Sequence, residues 1–148
     1  MSSTGVAAVL ASAAGLGGAV QIAVQGRLGD RVGNLEAVAT ASLIGGVLAL
    51  VVLLVARQSL AGIADAFGSP KWMLLGGVMS ALIILAITVA GPRIGIVATT
   101  ATLIAAQFTL ASVIDQYGWF GVERIAITWP RLLGIALLFV GAALTLRK

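Results

Sequence analysis

The chain has 148 residues, 60% of them apolar and only 9% charged, with a mean hydropathy of +1.13. A soluble domain carries about a quarter of its residues as charges, so this composition belongs to a polytopic membrane protein. The net charge of +4 comes from basic residues placed singly or in pairs at the ends of apolar runs, as interfacial anchors and not as a nucleic-acid-binding patch. His and Cys do not occur, which removes disulfides, thiolate chemistry and the usual zinc and haem ligand sets, so no metal or cofactor is expected.

The N-terminal Met-Ser-Ser-Thr-Gly lacks the basic region of a secretory signal, and the first apolar span, residues 4–24, is therefore expected to stay in the mature protein. Ala7, Ala11, Gly15, Ala19 and Ala23 recur every four residues along it, a small-residue ridge on which another helix can pack closely. The neighbouring row, Ala13, Gly17, Gln21 and Gln25, ends in two carboxamides. These either finish the helix in the headgroup region or contribute to a polar cavity. A loop is expected over residues 26–35, which hold Arg27, Asp30, Arg31 and three glycines. Asn34 is a candidate N-cap for the second span, residues 36–56, and Glu36 in its first turn suits the positive end of the helix dipole. Gly45 and Gly46 offer that span a packing face.

Residues 58–71 read as a short, weakly amphipathic connection ended by Pro70, with Trp72 anchoring the third span, residues 72–90, at the membrane interface. Gly76 and Gly77 give this span a close-packing face, and Ser80 and Thr88 are its strongly polar side chains. The turn Gly91-Pro92-Arg93 leads straight into the fourth span, residues 94–114, so the two spans should be antiparallel neighbours. Thr99, Thr100, Thr102, Gln107, Thr109 and Ser112 stand in that fourth span, where leucine would insert more easily. Hydroxyl groups in membrane helices usually bond back to the carbonyl four residues earlier. Gln107 is different, because its amide offers more donors and acceptors than one carbonyl can satisfy, so a lumen, a ligand or a partner glutamine stands beside plain packing as its role; Thr100 shares its helix face.

Asp115 is followed by the longest connection, in which Tyr117, Trp119 and Trp129 hold interface positions and residues 122–129 are expected on the membrane surface. The fifth span, residues 131–146, is about 24 Å long at helical rise, so Arg131 and Arg147 must snorkel to the interfaces. Gly134 and Gly141 mark its packing face. The whole chain, 1–148, thus reads as one all-α transmembrane domain of five helices with its termini on opposite sides of the membrane.

From Gly76-Gly77 through Pro92-Arg93, Gly95, Gln107, Asp115, Gly118 and Gly121 to Arg131-Leu132-Leu133-Gly134, the order and spacing of residues resemble the half-size, five-helix members of the drug/metabolite transporter superfamily, the YdcZ-like family or domain of unknown function 606. The resemblance covers nearly the whole chain. It implies one half of an inverted-repeat, ten-helix bundle in the bacterial cytoplasmic (inner) membrane, working as an antiparallel pair. Gln25 takes the place of a polar residue, often asparagine, near the end of the family's first helix, and Ala106 stands where glycine is expected before Gln107.

The sequence fits two functions from different classes. In the first, two copies, or one copy and a similar five-helix paralogue, form a transporter whose mid-membrane site is lined by Gln107, Thr100, Gln21 and Gln25. No charged residue lies deep in any span, so a neutral or weakly polar small molecule fits, and Glu36 and Asp115 at helix ends are the candidate coupling acids. In the second, the chain is a non-transporting membrane subunit whose small-residue faces (Ala11, Gly15, Ala19, Gly45, Gly76, Gly134, Gly141) bind another membrane protein. An enzyme is not expected, since there is no Ser-His pair, HExxH or paired intramembrane aspartate. The side bearing the N-terminus holds Arg57, Lys71, Arg124 and Arg131, and the other side Arg27, Arg31, Arg93, Arg147 and Lys148. So small a bias is expected to allow insertion both ways, giving an antiparallel homodimer in the lipid membrane; a single orientation, paired with a paralogue or in a parallel dimer, is the alternative.

Overall fold

The computed structural model describes residues 3–147; Met1 and Ser2 of the N-terminal run and Lys148 of the charge count lie outside them. Among the described residues there is no strand. Five helices are long and apolar enough to cross a membrane: Thr4–Val32, Asn34–Arg57, Lys71–Ile94, Ile96–Tyr117 and Trp129–Leu146. The chain is therefore an all-α, five-span membrane protein, as its composition and periodicity require.

The first helix, α1 (Ser3–Val32), runs straight through the loop expected over residues 26–35. The glycines that look like loop markers are contact points instead. A Cβ at Gly26 would lie 3.0 Å from Pro92 Cδ and Cγ, and one at Gly29 would lie 2.5 Å from Thr88 Cγ2. The chain turns only at Gly33, whose φ of 102° and ψ of 149° suit glycine alone. With 30 residues, α1 is about 45 Å long and outruns the hydrocarbon core of about 30 Å, so Arg27, Asp30 and Arg31 ride on its last turns at the surface. Asn34 opens α2 (Asn34–Arg57) and does not cap it: Gly33 is the N-cap and supplies no side-chain bond.

A short helix, α3 (Ala61–Gly68), and a 3-10 turn over Lys71–Leu74 lead past Pro70 into α4 (Leu75–Ile94). Here too the expected break moves. Pro92 lies inside α4, near its end, and Gly95, with φ 85° and ψ 161°, makes the turn into α5 (Ile96–Tyr117). A proline this close to a helix end removes one backbone hydrogen bond without stopping the helix, and its ring is seated against Gly26.

Gly118, in the left-handed region, ends α5 by donating its N–H to Ile114 O. The chain then crosses to α6 (Trp129–Leu146), which packs on α5. This crossing is bonded to the end of α5: Ile125 N–H donates to Asp115 O, Arg124 Nε to Gln116 O, and Ile127 N–H to Gln116 Oε1. Carbonyls that a helix terminus would leave open are thereby satisfied. Tyr117, Trp119 and Trp129 stay exposed around it, the first two with rings stacked 5.7 Å apart.

The helices fall into two compact units. One comprises Met1–Ala19 and Arg93–Lys148, the other Val20–Pro92.

Candidate functional site

In the unit Val20–Pro92, α2 presents Ala41, Ser42, Gly45 and Gly46 along one face, and α4 presents Gly77, Ser80, Ala81 and Ile84 along another. Both rows follow the three-and-four spacing of a single helix side, and both are built of small residues. A Cβ added at Gly45, Gly46, Gly76 or Gly77 would meet no atom within 4 Å. The space that larger side chains would fill is left open, and with Gln21 of α1 it forms a cavity of about 420 Å³, in the range of small-molecule sites.

The polar groups in this cavity are one carboxamide and two hydroxyls. Ser80 Oγ donates to Gly76 O at 3.0 Å, leaving its lone pairs available. No Asp, Glu, Lys or Arg lines the cavity, so it carries hydrogen-bonding capacity without charge. Ser42 and Ser80 were not among the site residues expected from the sequence; the signal for them is a serine within each of two small-residue rows, which becomes readable only once the two rows face one space.

The four residues expected to bind solute divide between the units. Gln21 lines the cavity just described. Gln25, one helical turn later, is 5% exposed, and its Nε2 has no hydrogen-bond partner. Gln107 and Thr100 belong to the unit that contains α5. Gln107 is exposed there, and Thr100 donates its hydroxyl to Ile96 O at 2.9 Å. The same backward bond occupies Thr99 with Gly95 O, Thr109 with Ala105 O and Ser112 with Phe108 O, as expected for hydroxyls in membrane helices.

The two acids considered for coupling sit at helix ends with local roles. Glu36 is in the first turn of α2, and its carboxylate lies over Gly33, where a Cβ would strike Oε2 first. That places negative charge at the positive end of the helix dipole. Asp115 Oδ2 pairs with Arg131 Nη1 at 3.1 Å, tying the end of α5 to the start of α6. Among the packing residues, Gly15, Gly45, Gly76, Gly134 and Gly141 have no atom of their own unit within 4 Å of a Cβ position, and Ala11 and Ala19 share the ridge with Gly15. Close approach inside the chain falls on Gly26, Gly29 and Gly91 instead.

Among the described residues no group of His, Cys, Asp or Glu is placed to hold a metal ion. Comparison with known proteins gives a family match over residues 6–144, almost the full chain. No curated protein and no solved structure matches. Together with its five membrane-crossing helices, this match makes the chain a multi-pass protein of the inner membrane that belongs to the family described as "Putative inner membrane exporter, YdcZ".

Proposed function

We propose that the chain exports a small, uncharged or weakly polar solute, working as an antiparallel pair of copies, with the uncharged cavity of Gln21, Ser42 and Ser80 as the solute-binding part contributed by each copy. The observation that carries this reading is a cavity of about 420 Å³ in a membrane-spanning unit, walled by glycine and alanine and furnished with a carboxamide and two hydroxyls. Polar groups at membrane depth need partners that lipid cannot supply, so water or a solute must occupy them. Without a charge the cavity favours neither a cation nor an anion. Gln107 and Thr100 of α5, in the other unit, are the polar side chains proposed there as solute contacts, because transporter sites commonly lie near mid-membrane. The open glycine positions on α6, Gly134 and Gly141, are a surface on which a second copy packs.

The test is reconstitution of the purified protein in liposomes with a screen of neutral solutes for flux. Gln21→Leu and Gln107→Leu are each expected to insert and fold, since leucine is the easier residue in lipid, and to lose flux. Flux unchanged in Gln21→Leu would remove the cavity from the mechanism. Flux absent from the parent for every solute, with assembly intact, would favour the reading as a subunit that serves another membrane protein.

A further inference from the structure

Within the unit Val20–Pro92, α1 and α4 approach at three places where one helix lacks a side chain: Ile22 against Gly91, Gly26 against Pro92, and Thr88 against Gly29. One polar side chain is stranded at this crossing, and one backbone carbonyl there loses its usual helical donor. Gln25, next to Gly26, is 5% exposed, and among the described residues its Nε2 is the buried side-chain polar atom without a partner. On α4, Pro92 has no N–H, so the carbonyl of Thr88, four residues earlier, receives no donor from that position of its own helix. Thr88 is 1% exposed, and its hydroxyl is already given to Ile84 O at 2.6 Å.

A buried donor without an acceptor therefore lies on the same helix crossing as a carbonyl to which Pro92 offers no N–H. Native proteins seldom tolerate such groups unless water or a ligand completes them. Gln25 follows Gln21 by one turn of α1, and Gln21 opens into the cavity. A carbonyl and an amide N–H acting together repel neither a hydroxyl nor an amide, but the carbonyl disfavours an anion and the N–H disfavours a cation.

We propose that the Gln25 carboxamide and the Thr88 carbonyl form a polar subsite for an uncharged group that both donates and accepts a hydrogen bond, a hydroxyl or an amide of the solute. This subsite rests on the export reading above and gives that solute a chemical class. Water has the same hydrogen-bonding chemistry, and the test separates the two.

The probes are benzyl alcohol, benzamide and toluene, similar in size and different in polarity, added to the purified full chain in detergent while thermal unfolding is followed. The parent is expected to be stabilised by benzyl alcohol and benzamide with at least about tenfold higher affinity than by toluene, roughly the worth of one good hydrogen bond. Gln25→Met, which fills the space without a polar atom, is expected to unfold at a higher temperature than the parent without probe, because a stranded amide is gone, and to lose the preference for the polar probes. Lower stability of Gln25→Met would mean that the amide is held by the protein, and toluene binding as well as benzyl alcohol would mean that water alone serves these groups; either result overturns the subsite. Pro92→Ala is an independent variant, readable even if Gln25→Met does not fold. It returns an N–H to the Thr88 carbonyl, so it is expected to reduce the advantage of benzyl alcohol over its acceptor-only relative anisole, and an unchanged ratio counts against the subsite. A polar-probe preference without flux in liposomes would leave the subsite standing and sink the export reading. Flux that is retained while Gln25→Met keeps the parent's probe preference would overturn the subsite alone.

Discussion

A methyl group added at Gly29 would lie 2.5 Å from Thr88 Cγ2 and 2.9 Å from Asn34 Oδ1. Carbon atoms prefer about 3.5 to 4.0 Å, so Gly29→Ala overlaps Thr88 by roughly 1 Å. The Asn34 amide is the end of a flexible side chain and can move aside. Thr88 cannot turn freely, because its Oγ1 is bonded to Ile84 O at 2.6 Å. Rotation gives up that bond at about 1 kcal/mol, and parting the helices instead costs about 1 to 3 kcal/mol as overpacking. Alanine returns at most about 1 kcal/mol as the better helix former, leaving Gly29→Ala destabilised by about 0 to 2 kcal/mol, and by about 1 to 3 kcal/mol relative to a helical Gly→Ala exchange without the clash. The check is thermal unfolding in detergent against Gly45→Ala, where a Cβ meets nothing within 4 Å and stability should hold or rise slightly. Thr88→Ser deletes the clashing methyl and keeps the hydroxyl bond, so the double variant Gly29→Ala with Thr88→Ser should recover most of the loss, a coupling of about 1 kcal/mol or more. If Gly29→Ala proves as stable as Gly45→Ala, or the second substitution rescues nothing, the helix contact inferred at this point is wrong.

Gly15→Leu or Ala19→Leu adds bulk to the small-residue ridge of α1 and is expected to lower assembly on size-exclusion chromatography; normal assembly and flux would mean that the ridge faces lipid. Asp115→Asn breaks the pair with Arg131 at a site about one-third exposed, so it should cost no more than about 1 kcal/mol in melting experiments, and the exchange Asp115→Arg with Arg131→Asp should restore it. Flux that responds to pH in the parent and not in Asp115→Asn would instead make Asp115 a coupling acid. Reporters fused to the C-terminus are expected to signal from both sides of the membrane, and variants with two or three arginines added at either terminus should be inactive alone and active together. Full activity of one biased variant alone would exclude the antiparallel homodimer.

Hydrophobic runs of about twenty residues identify the spanning helices because lipid leaves the backbone no partner but itself, and that constraint is local. The backward hydroxyl bonds of Thr99, Thr100, Thr109 and Ser112 were legible for the same reason. Gly26, Gly29 and Pro92 were misread as loop and turn signals, since a glycine that frees the backbone and one that admits a neighbouring helix look alike until the neighbour is known. The turns fell on Gly33 and Gly95 instead, each the only residue between two helices.

Composition and periodicity thus determined, by themselves, the membrane class, the five helices and the absence of charge deep within their spans, because each follows from the solvent around a single helix. Only the tertiary structure decided that Ser42 and Ser80 join Gln21 around one space and that Gln25 is buried without a partner. A cavity and a stranded amide are properties of facing helices, and the distance between two faces is set by which side chains meet across them.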